Sequence, residues 1–380
     1  MIQSRHIYII LRDYKYFSNR AKLALMDRFL IDHIDPLGQG VFKKDGEVFF
    51  IPKTLPDEEG IFKILKQKKG VCFGQLEKLT KKSPDRITPE CRHFNTCSGC
   101  HFLHTDYSNE LKIKTQTFAR MLRDIPHLDI KVLASDQRLH YRNRIQLHYD
   151  KNLIGFKQSK TNHIIAVPDC LIMQPQLKQV FDDFLSQWQQ QRRRLKEPTR
   201  GHVELYFKNN EIKINWNKPY ASGGFTQVNE PLNKKVQDLI LAQYGEIEGG
   251  LLELFGGEGN LSHKLNFDRR VCVDLYTDPN DDQVNLDLFK EDALKIFKKK
   301  VTDDFGCVFI DPPRSGFKGL SKWIEHYRPK NLLYMSCNPI TQINDIKPIL
   351  ESYEVSDIWL IDFFPSTFHF ESIIVMQQKS

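Results

Sequence analysis

The chain has 380 residues, with 55 Lys and Arg against 48 Asp and Glu and a formal net charge of +7. A hydrophobic share of 40% supplies packed cores and excludes a wholly disordered chain; the length predicts two or three domains. No run approaches the ~18 apolar residues of a membrane helix. The short apolar stretch from Ile7 to Leu11 stops at Arg12 without a small-residue cleavage site, so a soluble, cytoplasmic chain with no membrane contact is expected.

Charge is unevenly spread. Residues 1–200 hold 35 basic and 22 acidic side chains, net +13, whereas residues 201–380 hold 20 and 26, net −6. A basic first half suits a polyphosphate partner, because each Lys or Arg near a phosphate releases condensed counterion. A merely solvated basic surface accounts for the same numbers equally well.

Residues 1–26 form an N-terminal extension without a functional reading. From 27 to 86 the chain alternates in short segments, Phe29 to Ile34, Gly40 to Phe42, Glu47 to Ile51, Gly60 to Leu65 and Val71 to Leu79, punctuated by Gly38, Gly46, Pro52, Pro56, Gly60 and Gly70. This spacing predicts a small β-barrel, with Lys63, Lys66, Lys68 and Lys69 at one turn. A cysteine-dense loop follows at 91–100. The near-helical recurrence of Tyr107, Leu111, Phe118 and Leu122 then predicts one long helix over 105–122. Residues 140–220 return to strands at Ile145 to Tyr149, His163 to Val167, His202 to Phe207 and Glu211 to Trp216, interrupted by a polar helix from Gln176 to Arg194. Residues 87–220 are thus a β-rich central domain, with helix 105–122 able to pack on the domain that follows.

From 221 onward apolar runs alternate with helical stretches: Gly250 to Leu254, Arg270 to Val273, Cys307 to Ile310, Asn331 to Met335 and Val355 to Ile361. Near-continuous apolar runs are buried parallel strands, and the alternation predicts a doubly wound α/β domain over 221–380.

Four of the eight cysteines stand apart, Cys91, Cys97 and Cys100 in CRHFNTCSGC and Cys170 in VPDCLIM. In a reducing compartment they read as metal ligands rather than disulfides. Spacing leaves zinc and an iron-sulfur cluster open, and general frequency favours zinc. Cys72, Cys272 and Cys307 read as small buried hydrophobes.

The segment LLELFGGEGNLS, 251–262, runs from an apolar strand into Gly256, Gly257 and Gly259, which let a ligand approach the backbone at a strand end. Asp274 ends the next run, where a carboxylate can accept from a ribose; together they favour a nucleoside-bearing cofactor over an ordinary turn. Pro312 and Pro313 stop the third run and hold Asp311 at the sheet edge. Cys337 ends the fourth. With Thr341 read as a helix N-cap, the Cys337 sulfur is expected near exposed amides that favour its thiolate, as a nucleophile rather than a structural cysteine. His369 and Glu371 lie two apart, on one face if the segment is a strand; a surface pair is the bland reading, and a general base at Glu371 the functional one.

With these motifs in order, the sequence resembles the bacterial RNA (uracil-5)-methyltransferases, in particular the 23S ribosomal RNA enzymes with a TRAM domain and an iron-sulfur cluster. The likeness runs from about residue 27 to the end. Its carriers are the cysteine set, YRNRIQL at 141–147, FTQVN at 225–229, the LFGGEG loop, DPPRSG at 311–316, SCNP at 336–339 and FPSTFHFES at 364–372. The resemblance implies a Rossmann-like methyltransferase domain, a TRAM/OB-like barrel and a central iron-sulfur domain. It implies S-adenosylmethionine-dependent methylation of carbon 5 of a uridine, with 23S ribosomal RNA as the leading substrate, by a monomer without protein partners. It further implies Cys337 as nucleophile and Glu371 as base. Gln227, Phe255, Gly257, Asp274 and Asp311 become cofactor contacts, and Phe225, Arg142 and Asp311 uracil or RNA contacts. Cys91, Cys97, Cys100 and Cys170 become ligands of a 4Fe-4S cluster, which displaces zinc. Transfer RNA as substrate, or an RNA-binding protein that has lost methyl transfer, are the competing readings. The chain departs from the family in having Glu253 to Gly257 where Asp-Leu-Tyr-Cys-Gly is common, and Thr226 for a usual Phe. Over 275–290 the stretch is short and polar where a crossover helix is usual, which bears on the adenine side of the pocket and on Asp274.

Overall fold

The computed structural model describes residues 26–379 apart from 127–128, 159–160, 209–210, 221, 223–226, 246–247, 258 and 276–281. The chain divides into two units, residues 1–33 with 39–83, and residues 34–38 with 84–380.

In the first unit, Asp45 and Gly46 both take positive φ, +50° and +80°, between the paired ends Lys44 and Glu47. This is the Asp-Gly hairpin turn that matches strand twist. Met26–Leu30 pairs antiparallel with Glu59–Lys68, and just beyond it the Asp32 amide donates to the Val41 carbonyl at 2.8 Å. One segment thereby bonds both to Glu59–Lys68 and to Gln39–Lys44 within a six-stranded sheet. Phe29, Phe42, Phe49 and Phe62 fill its interior, with Phe42 stacked on Phe49 at 4.5 Å. The expected alternating strands thus form a six-stranded sheet around an aromatic core.

The second unit contains two sheets. One is a five-stranded antiparallel sheet built around Arg144–Asp150 and Arg200–Lys208. Helix Pro175–Arg194 covers it, burying Leu177, Phe181, Phe184 and Trp188, residues that share one helical face, against Tyr149, Val203, Leu205 and Trp216.

The other sheet has eight strands. In spatial order they are Gln283–Asn285, Arg270–Asp274, Gly250–Leu254, Phe305–Ile310, Asn331–Ser336, Glu371–Gln378, Tyr353–Ile361 and Lys131–Leu133. The first five pair in parallel, and successive side chains feed opposite faces. Leu252, Leu254, Val308 and Ile310 enter one apolar core with Phe297, Leu320 and Trp323. Leu251, Cys307 and Phe309 enter another with Leu232, Val236 and Ile240. Cores on both faces explain why these runs read as continuously apolar.

Three features of the structure bear on the sequence reading. Glu371–Gln378 inserts antiparallel between Asn331–Ser336 and Tyr353–Ile361, a strand that periodicity did not mark. Helix Tyr107–Leu122, capped by Asp106 accepting from the Asn109 amide at 2.7 Å, drives Phe118 and Leu122 into the core of the eight-stranded sheet, and Lys131–Leu133 forms that sheet's edge. The expected central domain therefore contributes elements across the expected boundary at 220. Finally, only residues 275–282 separate Asp274 from Gln283, whose strands pair in parallel.

Candidate active site

The site is assembled at the carboxyl edge of the eight-stranded sheet. Ser336 pairs with Ser372 in the antiparallel register, and one further step of that register sets Cys337 against Glu371. The strand ends are fastened together. Ser372 Oγ donates to Gln342 Oε1 at 2.6 Å and to Ser336 O at 3.2 Å, while Gln342 Nε2 donates to Tyr334 O at 2.6 Å.

Asn338, not Thr341, begins the following helix, Pro339–Ile346, and Thr341 Oγ1 donates to Asn338 O at 3.0 Å. Cys337 is half-buried. Its thiol is pushed up to about 11, first by burial, then by the charge of Glu371, while the charge of Arg314 and a hydrogen bond to it pull the other way. The expected amide-stabilised thiolate is thus corrected: burial and a neighbouring carboxylate outweigh the cation. Glu371 is 6% exposed. Burial, then the charge of Asp311, raises its carboxyl well above the usual range, opposed by Arg314. Burial, followed by the charge of Glu253, pushes Asp311 up to about 7. Arg314 faces both members of the pair and was not singled out from the sequence, although it directly follows the prolines of DPPRSG. Asn338 Nδ2 fixes its backbone by donating to Arg314 O at 2.9 Å.

His369 precedes the strand that Glu371 opens. Burial, then the Arg314 charge, pushes it down to about 3, so it stays neutral rather than forming a surface ion pair. The loop carrying it is held from below. Ser366, at φ +68°, donates its amide to Glu110 Oε1 at 2.6 Å, and its carbonyl accepts from the amides of His101 and Phe102. Lys114 Nζ bridges Glu110, Asp362 and Phe364 O.

On the neighbouring strand ends, Phe255, Gly257 and Gly259 take positive φ of +61°, +55° and +75°. A Cβ at Gly257 would meet nothing within 4 Å, so this turn faces open space, whereas one at Gly256 would strike Cys272 Sγ and Glu253 at 2.6 Å. The Gly257 amide donates to Asp274 Oδ2 at 3.1 Å, joining loop and acid into one rim. Glu253 is braced by Ser262 at 2.5 Å and Arg270 at 2.8 Å.

Gln227 is buried, and its carbonyl accepts from Asn143 Nδ2 at 3.0 Å. Arg142 is partly buried and donates from Nε to Arg144 O at 2.7 Å. Phe225 lies outside the described residues. Cys100 and Cys170 both pack against a small apolar group of Tyr141, Ile172 and Val228. Burial raises both thiols, and the charges of Cys91 and Cys97 raise them further, which brings all four cysteines into one neighbourhood. Among the described residues no group of three or more His, Cys, Asp or Glu is spaced to hold a metal ion, so the arrangement is not the ready-made ligand set expected.

An open α/β sheet with a glycine turn and an acid on adjoining strand ends frames a nucleoside-cofactor enzyme. Among solved structures, the fold is similar to the Pyrococcus abyssi tRNA (uracil-54, C5)-methyltransferase in complex with S-adenosyl-L-homocysteine, with a TM-score of 0.66 and 19% identity over 92% of this chain and 99% of that one. The fold is that of a methyltransferase.

Residues 297–379 match the family described as tRNA (uracil-5-)-methyltransferase. The chain is 25% identical over 418 residues to the 23S rRNA (uracil(1939)-C(5))-methyltransferase RlmD of Yersinia enterocolitica, covering 92% of this chain and 94% of the relative. It is 28% identical over 386 residues to an uncharacterised RNA methyltransferase of Nitrosomonas europaea, with 90% and 94% covered. Over nearly its whole length the chain is thus similar to proteins named as RNA (uracil-5)-methyltransferases.

Proposed function

We propose that the protein transfers a methyl group from S-adenosylmethionine to carbon 5 of a uridine in 23S ribosomal RNA through a covalent Cys337 adduct. The observation that carries this reading is the register that sets Cys337 against Glu371, with Asp311 and Arg314 beside them.

Carbon 5 of uracil alone is too weak a nucleophile to displace a sulfonium methyl. Cys337 Sγ, once deprotonated, bonds to carbon 6 and turns the ring into an enolate, with Arg314 supporting the thiolate. Carbon 5 then takes the methyl as the donor's carbon–sulfur bond breaks. Glu371 removes the carbon-5 proton, and the Cys337–carbon 6 bond breaks to restore the double bond and release the enzyme. Asp311, poised near neutrality at the junction of cofactor rim and thiol, holds the uracil, and Gln227, Phe255, Gly257 and Asp274 contact the cofactor. A stacked base hides its carbon 5, so the nucleotide must be turned out of its helix. Phe225 and Arg142 meet the extruded base and its strand, and the TRAM-like barrel, residues 27–86, grips phosphates.

For the four cysteines we propose a 4Fe-4S cluster. Four sulfurs on one zinc at about 2.3 Å must converge closely. What supports a cluster is that the four thiols share one neighbourhood in the spacing the resemblance assigns to it. The Gly99 amide, 3.4 Å from Cys97 Sγ, is a hydrogen bond of the kind that tunes such sulfurs. The chemistry above uses none of it; the group braces the module that carries His101 and the catalytic loop.

Cys337→Ala is expected to abolish transfer. Glu371→Gln should methylate once and remain bound to RNA as a denaturation-resistant band. Full activity in Cys337→Ala would overturn the mechanism. Mass mapping of RNA from cells with and without the gene decides the substrate: loss of 5-methyluridine from transfer RNA alone would replace the ribosomal assignment, and loss from neither would favour the RNA-binding reading.

A further inference from the structure

Phe289 is 55% exposed, unusually bare for a phenyl ring. It is nonetheless firmly anchored. Its ring meets Phe255 at 5.4 Å and Phe317 at 6.3 Å in tilted and edge contacts, and those two meet each other at 5.1 Å. Phe317 is 2% exposed in the sheet core. The Phe289 amide donates to Asp287 Oδ1 at 3.1 Å, which fixes the turn that presents the ring. That turn leaves strand Gln283–Asn285, whose neighbour ends at Asp274, while Phe255 follows the end of the next strand over. The ring therefore stands on the same carboxyl edge as the glycine turn and its acid. A single exposed apolar side chain needs no explanation in general. One clamped by two aromatic neighbours on a ligand-binding edge does.

We propose that Phe289 is the platform on which the purine of the methyl donor stacks. The strands ending at Asp274 and Asn285 are parallel neighbours, and the phenyl trio stands at their carboxyl edge as a wall for the base. Phe255 and Phe317 set the plane and Phe289 offers its face. A flat, electron-poor heterocycle gains most from an offset ring held rigidly, because no side-chain freedom is lost on binding. Asp274, bound to the Gly257 amide, marks the ribose end of the same rim. The inference rests on S-adenosylmethionine being the donor.

The test is calorimetric titration of the full chain with S-adenosylmethionine. Wild type should bind. Phe289→Ala should weaken binding roughly ten- to hundredfold, the range for losing one aromatic stack under a base. Phe289→Leu, which keeps apolar bulk without a π face, should lose as much; Phe289→Trp should keep its affinity and show indole quenching, beyond any seen in wild type, as the purine docks. In turnover assays Phe289→Ala should raise KM for the donor and leave kcat at saturation unchanged. Wild-type affinity in the Ala or Leu variant, or no added quenching in Phe289→Trp, would overturn the platform while leaving the donor assignment intact. Absence of binding in wild type would overturn both.

Discussion

Replacing Asp311 by Asn is expected to stabilise the protein while damaging its activity. An acid whose folded pKa lies above its unfolded one costs stability as pH rises. Below about pH 4 both states hold the proton and nothing is lost. Between there and neutrality the unfolded chain releases it and the folded chain does not. Above the folded value the full penalty applies. Asp311 moves from 3.8 to about 7 through burial, then the charge of Glu253, and at about 1.4 kcal/mol per unit the ceiling is roughly 4 kcal/mol. The carboxyl is only partly buried by exposure and is coupled to other acids, so about 2–4 kcal/mol is the expected gain in Asp311→Asn at pH 8.5. Urea denaturation of both proteins at pH 4, 5.5, 7 and 8.5 reads this out. Any constant effect of the amide cancels in the comparison, leaving a stability difference that grows with pH and flattens above 7. A difference that is flat across the series, or that favours wild type as pH rises, would refute the reasoning. Activity should fall because the charged edge facing cofactor and base is gone.

Lys114→Ala removes the cation shared by two carboxylates, in a group where Lys114 is 2% and Glu110 and Asp362 are 0% exposed. Stranding those charges should cost about 3–5 kcal/mol in urea denaturation; a loss under about 1 kcal/mol would mean the acids are already neutral. Arg314→Ala removes the group that lowers the Cys337 thiol, so alkylation of Cys337 by iodoacetamide at pH 8, followed by peptide mass, should slow about tenfold for each unit lost, and Arg314→Lys should recover part of it. Unchanged alkylation in Arg314→Ala would remove Arg314 from the thiol's environment.

Much of the frame was legible in the sequence, because continuous apolar runs and glycine-punctuated alternation report burial directly. Gly250–Leu254, Glu211–Trp216 and helix Pro175–Arg194 fall where the pattern placed them, to within a residue. What escaped was set by long-range pairing. Strand Glu371–Gln378 carries the general-base candidate, yet its opening residues, Glu371 and Ser372, are polar and buried, so its sequence does not announce an interior strand. Its reversed insertion beside Asn331–Ser336 brings Cys337 and Glu371 together from distant parts of the chain. The Cys337 environment was misread for a related reason. The local signal, a strand end before a helix, favours a thiolate, whereas the deciding charges, Glu371, Asp311 and Arg314, come from two other strand ends. Phe289 was invisible as a site residue because only its clamping by Phe255 and Phe317 distinguishes it from any exposed ring.

The same three charges explain why a resting enzyme with a buried cysteine need not be reactive. With no base in place, burial and the charge of Glu371 raise the Cys337 thiol, so the free protein holds a cysteine that stray electrophiles modify slowly. In the proposed mechanism, a pyrimidine entering between Cys337 and Glu371 changes the balance. Attack by sulfur would move negative charge off Cys337 and onto the ring oxygens, away from the Glu371 charge that raises the thiol. The proton lost from Cys337 has a ready acceptor in Asp311, half-ionised near neutrality. Reactivity is therefore a property of the ternary arrangement rather than of the cysteine. That is consistent with placing the two side chains on antiparallel neighbours locked by Ser336, Gln342 and Ser372, since a thiol raised by a neighbouring carboxylate has no attraction to hold the two together and must be positioned by the backbone.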